Sequence, residues 1–304
     1  MESILIGQES IDLYNFRITN KDLERQAIIE IQTQILKWLQ DAELDTQIKA
    51  TKCNSILLNK LTYYIANEIE KKNRHMIISR GWYKYGPCYE AGRHGEESLT
   101  LSLFDHLLPS KRIIPDVESI CEKEVPLFLK YTEKSQYYPF EYLKHIYNEK
   151  VDYPKIQNFY TCKHLLTSLV SECQKNPIKA NIEKMNKLTM DFDKEILSSV
   201  YRNVVGIPVN DIDLVLEFTS LMNQILNDLY KDPNEKQTTL SYKIIDDFIN
   251  IVLMTFANKN YIYTFRTSNS RHEEVIKSNV RKAYDNYIYK TQTLIGEYYQ
   301  KLNN

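Results

Sequence analysis

Four of the chain's seven glycines, Gly81, Gly86, Gly92 and Gly95, fall within one stretch of a 304-residue sequence. Glycine reaches positive φ without steric cost, so a chain that gathers its few glycines in one place asks for backbone freedom or close approach there. On either side the apolar residues recur at helical spacing. Together these features predict a mainly α fold. An N-terminal helical lobe, residues 1–150, carries a small β-hairpin or extended loop around 76–97, and an antiparallel helical bundle with a long last helix fills 151–304.

The helical reading rests on named stripes. Over 21–44, Leu23, Ile28, Ile31, Ile35, Leu36 and Leu39 share one face, with Thr19 or Asn20 as N-cap. Over 48–70, Leu57, Leu61, Tyr64, Ile65 and Ile69 do the same, before the polar run Lys71, Lys72, Asn73 and Arg74. The period changes over 75–85, where β-branched and aromatic residues favour a strand. Beyond the glycines, short helices are expected at 97–108, 115–134, 139–149 and 155–175, with Pro109, Pro139, Pro154 and Pro177 at the joints and Pro126 bending or splitting the second. Four longer patterns follow at 178–204, 210–230, 235–258 and 271–302, the last two separated by a short irregular piece at 261–265. The final pattern has Val275, Ile276, Val280, Tyr284, Tyr287, Ile288, Ile295 and Tyr298 on one stripe. Such a stripe closes the core of its own bundle, and a homodimer through 271–302 is the other use it permits.

Charge narrows the functional classes. With 39 basic and 40 acidic residues the chain is nearly neutral, which removes a global attraction to nucleic acid or an anionic membrane. Locally, residues 45–112 hold eleven Lys or Arg against seven Asp or Glu, so the excess of +4 surrounds the glycines. The first ten residues lack a basic start and a long apolar core, and no uncharged run reaches bilayer length, so a cytoplasmic protein without membrane association is expected. Five cysteines, Cys53, Cys88, Cys121, Cys162 and Cys173, stand at no metal or redox spacing and read as reduced, partly buried thiols. His75, His106, His145 and His164 have no His or Cys three or four residues away, so no metal and no cofactor is expected.

Two stretches carry candidate chemistry. The first is the glycine-rich loop, where Arg80, Trp82, Tyr83, Lys84, Tyr85, Arg93 and His94 combine cations with aromatic area, the mixture that interfaces favour. Its glycines are not followed by Lys-Ser or Lys-Thr, so it is no phosphate-cradling loop. Arg93, His94, Glu96 and Glu97 are residue types an acid–base site uses, while Glu96 and Glu97 equally suit the first turn of a following helix. Leu61-Thr62-Tyr63 after Lys60, followed by the aromatic run that ends in Tyr85-Gly86-Pro87, resembles Panacea-type antitoxin domains and winged-helix regulators. That resemblance implies a regulatory protein that recognises a protein partner or nucleic acid and turns over no substrate. It ends after Pro87, where Cys88, Gly92 and Gly95 stand in place of a direct entry into helix.

The second stretch places Arg266 six residues before His272 at the entry to the last helix. This resembles HEPN-type ribonucleases, in which such a pair acts on the RNA phosphodiester without metal; Thr267 stands where that family carries Asn or Asp. Asn227 and Glu235 are spaced as in a terpene-cyclase magnesium motif, but Lys231 between them puts a cation where a hydroxyl ligand belongs. The leading expectation is therefore a non-catalytic interaction protein acting through 80–97. The alternative is a ribonuclease using Arg266 and His272.

Overall fold

The computed structural model describes residues 21–41, 54–73, 78–84, 86–89, 114, 116–129, 153–175, 179–267 and 270–303. The chain is mainly helical, with one two-stranded antiparallel hairpin and a long C-terminal helix. It divides into two compact units. The first comprises 1–145 together with 265–276, and the second comprises 146–264 and 277–304. The helices expected at 97–108 and 139–149 lie outside the described residues.

In the first unit, α1 (Lys21–Asp41), α2 (Asn54–Lys72) and α3 (Val117–Leu129) pack against one another. Their apolar stripes make the core: Ile31, Ile35, Leu36 and Leu39 from α1, Leu61, Ile65 and Ile69 from α2, Ile120 and Val125 from α3. Helix α3 begins two residues after Pro115, because Asp116 takes a left-handed φ of 60° and its carbonyl accepts from the Ile120 amide at 3.0 Å. Pro126 does not split it: the helix runs through the exposed proline to Leu129.

Between α2 and α3 come β1 (Arg80–Tyr83) and β2 (Gly86–Tyr89), paired from Arg80↔Tyr89 to Tyr83↔Gly86. Of the run over 75–85, Arg80–Tyr83 is strand and forms one arm of the hairpin. Gly86 has φ +80°, a conformation that glycine supplies without a Cβ clash. β2 lies against α2, where buried Lys60 donates from Nζ to the Pro87 carbonyl.

The second unit is built from α4 (Pro154–Lys175), α5 (Lys179–Leu197), α6 (Ser199–Val205), α7 (Val209–Lys231), α8 (Glu235–Asp247), a π-helical segment (Phe248–Val252), α9 (Leu253–Thr264) and most of α10 (Ser270–Asn303). The run predicted as one helix over 178–204 breaks at Ser198, and Gly206, with φ +65°, closes α6 by donating its amide to the Arg202 carbonyl at 2.9 Å. The break expected at 261–265 falls later: Tyr261 is buried in α9, the helix runs to Thr264, and residues 265–267 leave it before α10 begins. A π turn at Phe248 interrupts the run predicted as one helix over 235–258; it adds a residue to the turn and keeps both Phe248 and Val252 inside. Helices α5 and α7 run antiparallel: Asn186 bonds Asn227 at one end of the seam, and Asp193 bonds Thr219 further along.

Aromatic rings fill this core. Phe159, Phe192, Tyr201, Phe248 and Phe256 are fully buried, with successive centroids 5.3 to 6.4 Å apart. The stripe on α10 is used inside the unit: Val280, Tyr284, Ile295 and Tyr298 are buried, the Tyr284 hydroxyl donates to Asp211 and the Tyr298 hydroxyl donates to Asp247, each at 2.6 Å. Burial and the neighbouring carboxylates push both phenol groups above their ordinary range. The apolar positions considered for a dimer through 271–302 are in large part enclosed by the chain itself. No helix among the described residues is long and apolar enough to cross a membrane.

Candidate functional site

The two stretches singled out in the sequence meet in the first unit. Arg80 and Arg266 form an antiparallel bridge, the Arg80 amide donating to the Arg266 carbonyl at 3.0 Å and the Arg266 amide to the Arg80 carbonyl at 2.9 Å. Residue 266 thus pairs with the edge of β1 opposite β2. Ser79 Oγ and Thr267 Oγ1 are hydrogen-bonded at 2.9 Å, and the Glu24 carboxylate accepts from the Ser79 amide at 2.5 Å and from its hydroxyl at 3.0 Å.

Glu70, near the end of α2, joins the two arginines. One carboxylate oxygen accepts from Arg80 Nη2 and the other from Arg266 Nη2 at 2.5 Å. Arg80 Nε donates to Asn67 Oδ1 at 2.6 Å, its Nη1 donates to the Ile78 carbonyl at 3.0 Å, and its guanidinium lies 5.8 Å from the Tyr63 ring centroid. The Tyr63 hydroxyl accepts from the Trp82 indole at 3.2 Å. The Glu70 carboxylate is thus shared between two guanidiniums. The exposures divide the pair: the Arg80 side chain is 3% exposed and that of Arg266 is 51% exposed.

The sequence-predicted contact residues separate accordingly. Arg80 and Trp82 are buried, and this corrects their assignment as contact residues: a fully buried indole and a guanidinium that donates inside the unit to Glu70, Asn67 and the Ile78 carbonyl lie away from the accessible surface. Tyr83 and Lys84 are half-buried near the hairpin turn. Tyr85, Arg93 and His94 lie outside the described residues. Arg266 is accessible, and His272 is half-buried in the first turn of α10, its ring 6.3 Å from that of Phe265.

Glu70 and Asn67 escaped the reading of the sequence, and Tyr63 entered it only through the resemblance. They follow on α2 at spacings of four and three, a polar stripe beside the apolar one, and that period was the available signal. Among the described residues no cluster of His, Cys, Asp and Glu gathers as a metal site. Burial pushes the Cys121 thiol up to about 12 and the Cys173 thiol to about 11, with Glu118 and Glu172 respectively adding to the shift, so neither is a reactive thiolate near neutral pH. No family model, curated protein or solved structure matches the chain.

Proposed function

We propose that the chain is a non-catalytic regulatory protein that engages its partner through the hairpin side of the first unit. Tyr83, Lys84 and Arg266 make the contacts, and Arg80 and Trp82 are the frame that positions them. The observation that carries this reading is the half-exposed Arg266 guanidinium, held in place by the partly buried Glu70 carboxylate. An arginine oriented in advance presents its remaining N–H donors as a rigid fork, which suits phosphate or carboxylate groups. The local excess of cations over 45–112 favours a nucleic acid as the partner; an acidic protein surface is the other partner this chemistry suits.

Fluorescence anisotropy with labelled duplex DNA and single-stranded RNA, at low and high salt, tests the reading. Arg266→Ala and Lys84→Ala are expected to weaken binding several-fold and to flatten its salt dependence, with little change in melting temperature. Trp82→Ala is the contrasting control, expected to cost about 3–5 kcal/mol of stability as a buried indole is truncated. Binding by the wild type that neither surface variant alters would remove the proposed contact face.

A second reading, metal-independent RNA cleavage by Arg266 and His272, is supported by the position of both residues within one unit, with Arg266 accessible. RNA incubated with the protein in EDTA decides it: cleavage by the wild type that His272→Ala abolishes is the expected result. Intact RNA in both reactions rules it out.

A further inference from the structure

Helix α5 carries two stripes. The inward one, Ile182, Met185, Thr189, Phe192 and Ile196, belongs to the core. The outward one is Ala180, Glu183, Lys187, Met190, Lys194 and Leu197, in which spacings of three and four alternate without interruption, and every member is exposed. Met190 is 56% exposed and Leu197 48%, and Val200, just beyond the helix, is 56% exposed. Alternating spacings of three and four are what allow two helices to pack along a seam.

We propose that this outward seam is a self-association surface whose occupant is the α5 helix of a second copy, running antiparallel about a twofold axis between Lys187 and Met190. The charges select both the occupant and its direction. In the antiparallel register Glu183 faces Lys194 of the second copy, Lys187 lays its aliphatic stem along Met190, and Ala180 meets Leu197, with each contact repeated by symmetry. A parallel register places Glu183 on Glu183, Lys187 on Lys187 and Lys194 on Lys194, all repulsive. Asp191, beside Met190, adds a carboxylate near Lys187 of the second copy. Within its own chain Lys194 reaches only an exposed contact with Asp191 at 3.5 Å, a weak competitor. Ile276, Val280, Tyr284, Ile295 and Tyr298 of the α10 stripe are buried, whereas on α5 the exposed Met190 and Leu197 lie within a self-complementary charge pattern. A contact built on one 19-residue helix is small, so the dimer is weak and reversible.

Sedimentation equilibrium of the full chain up to about 100 μM tests this, the range in which small interfaces associate. A concentration-dependent dimer is expected. Glu183→Lys and Met190→Lys, both at exposed positions, are each expected to raise its dissociation constant about tenfold or more through new Lys–Lys encounters. The double exchange Glu183→Lys with Lys194→Glu restores opposite charges and is expected to return the constant to near the wild-type value, while Tyr289→Ala on α10 leaves it unchanged. A wild type that stays monomeric overturns the proposal. So does a dimer that is insensitive to Glu183→Lys, or one that the double exchange fails to restore.

Discussion

At the scale of single residues, burial decides what a charge is for. Arg80 stands in a basic, aromatic, glycine-rich stretch, and such composition ordinarily marks a binding loop; its side chain instead points inward to Glu70, Asn67 and the Ile78 carbonyl. Nothing in the local sequence distinguishes these uses, because the partners that hold Arg80 lie on a different element, helix α2. Glu70→Ala is expected to destabilise the first unit by about 3–5 kcal/mol, since it leaves a buried guanidinium without its counter-charge. Arg266→Ala removes the exposed member of the same cluster and is expected to cost about 1 kcal/mol or less; thermal denaturation of the two variants checks the ranking. Asp193 supplies a pH-dependent case. Burial between α5 and α7 pushes its carboxyl up to about 6, against the hydrogen bond donated by Thr219. A carboxyl raised above its unfolded value binds its proton more tightly in the native state, so its contribution favours folding at low pH and is lost as pH rises through about 6. Asp193→Asn is therefore expected to raise stability by on the order of 1–2 kcal/mol at pH 7.5 and to change little at pH 4, read from urea midpoints at both values.

At the scale of elements, the period of apolar residues carried the assignments, and the errors fell where the period is ambiguous. Helices α1, α2, α7 and α10 follow their stripes closely. The run over 178–204 is apolar at helical spacing through Ser198, so only the packing of Tyr201 against Phe159 and Phe256 reveals the break between α5 and α6. The piece expected to separate the last two helices at 261–265 is helical through Thr264, since Tyr261 is fully buried and tertiary burial extends the helix. Two glycines give a prediction of opposite sign. Gly206 closes α6 at φ +65° with nothing within 4 Å of an added Cβ, so Gly206→Ala is expected to cost about 1 kcal/mol from backbone strain alone. Gly296 sits exposed inside α10, also with open space around an added Cβ, and Gly296→Ala is expected to stabilise by about 0.5–1 kcal/mol. Equal shifts in the melting temperatures of the two variants would refute the assignment of strain to Gly206.

At the scale of the whole molecule, the chain does not keep its units in sequence order. After α9 it enters the first unit for residues 265–276, where Arg266 bridges β1, before α10 continues in the second unit. A cut between 145 and 146 therefore divides the first unit, and the piece 1–145 lacks both the bridge to Arg80 and the Thr267 contact with Ser79. Expressed alone, that piece is expected to lose the sharp cooperative melting of its helices in circular dichroism; retention of a wild-type transition would show that 265–276 contributes little. The amino-acid sequence by itself determined the helical class, the hairpin near the glycines, the long last helix and the absence of membrane-length apolar runs, because periodicity and turn chemistry act over a few residues. Tertiary structure alone decided that Arg80 and Trp82 are buried, that Glu70 ties together stretches 186 positions apart in the chain, and that Arg266 keeps an accessible face. Burial and charge pairing depend on which distant segments meet, and local spacing holds no record of that meeting.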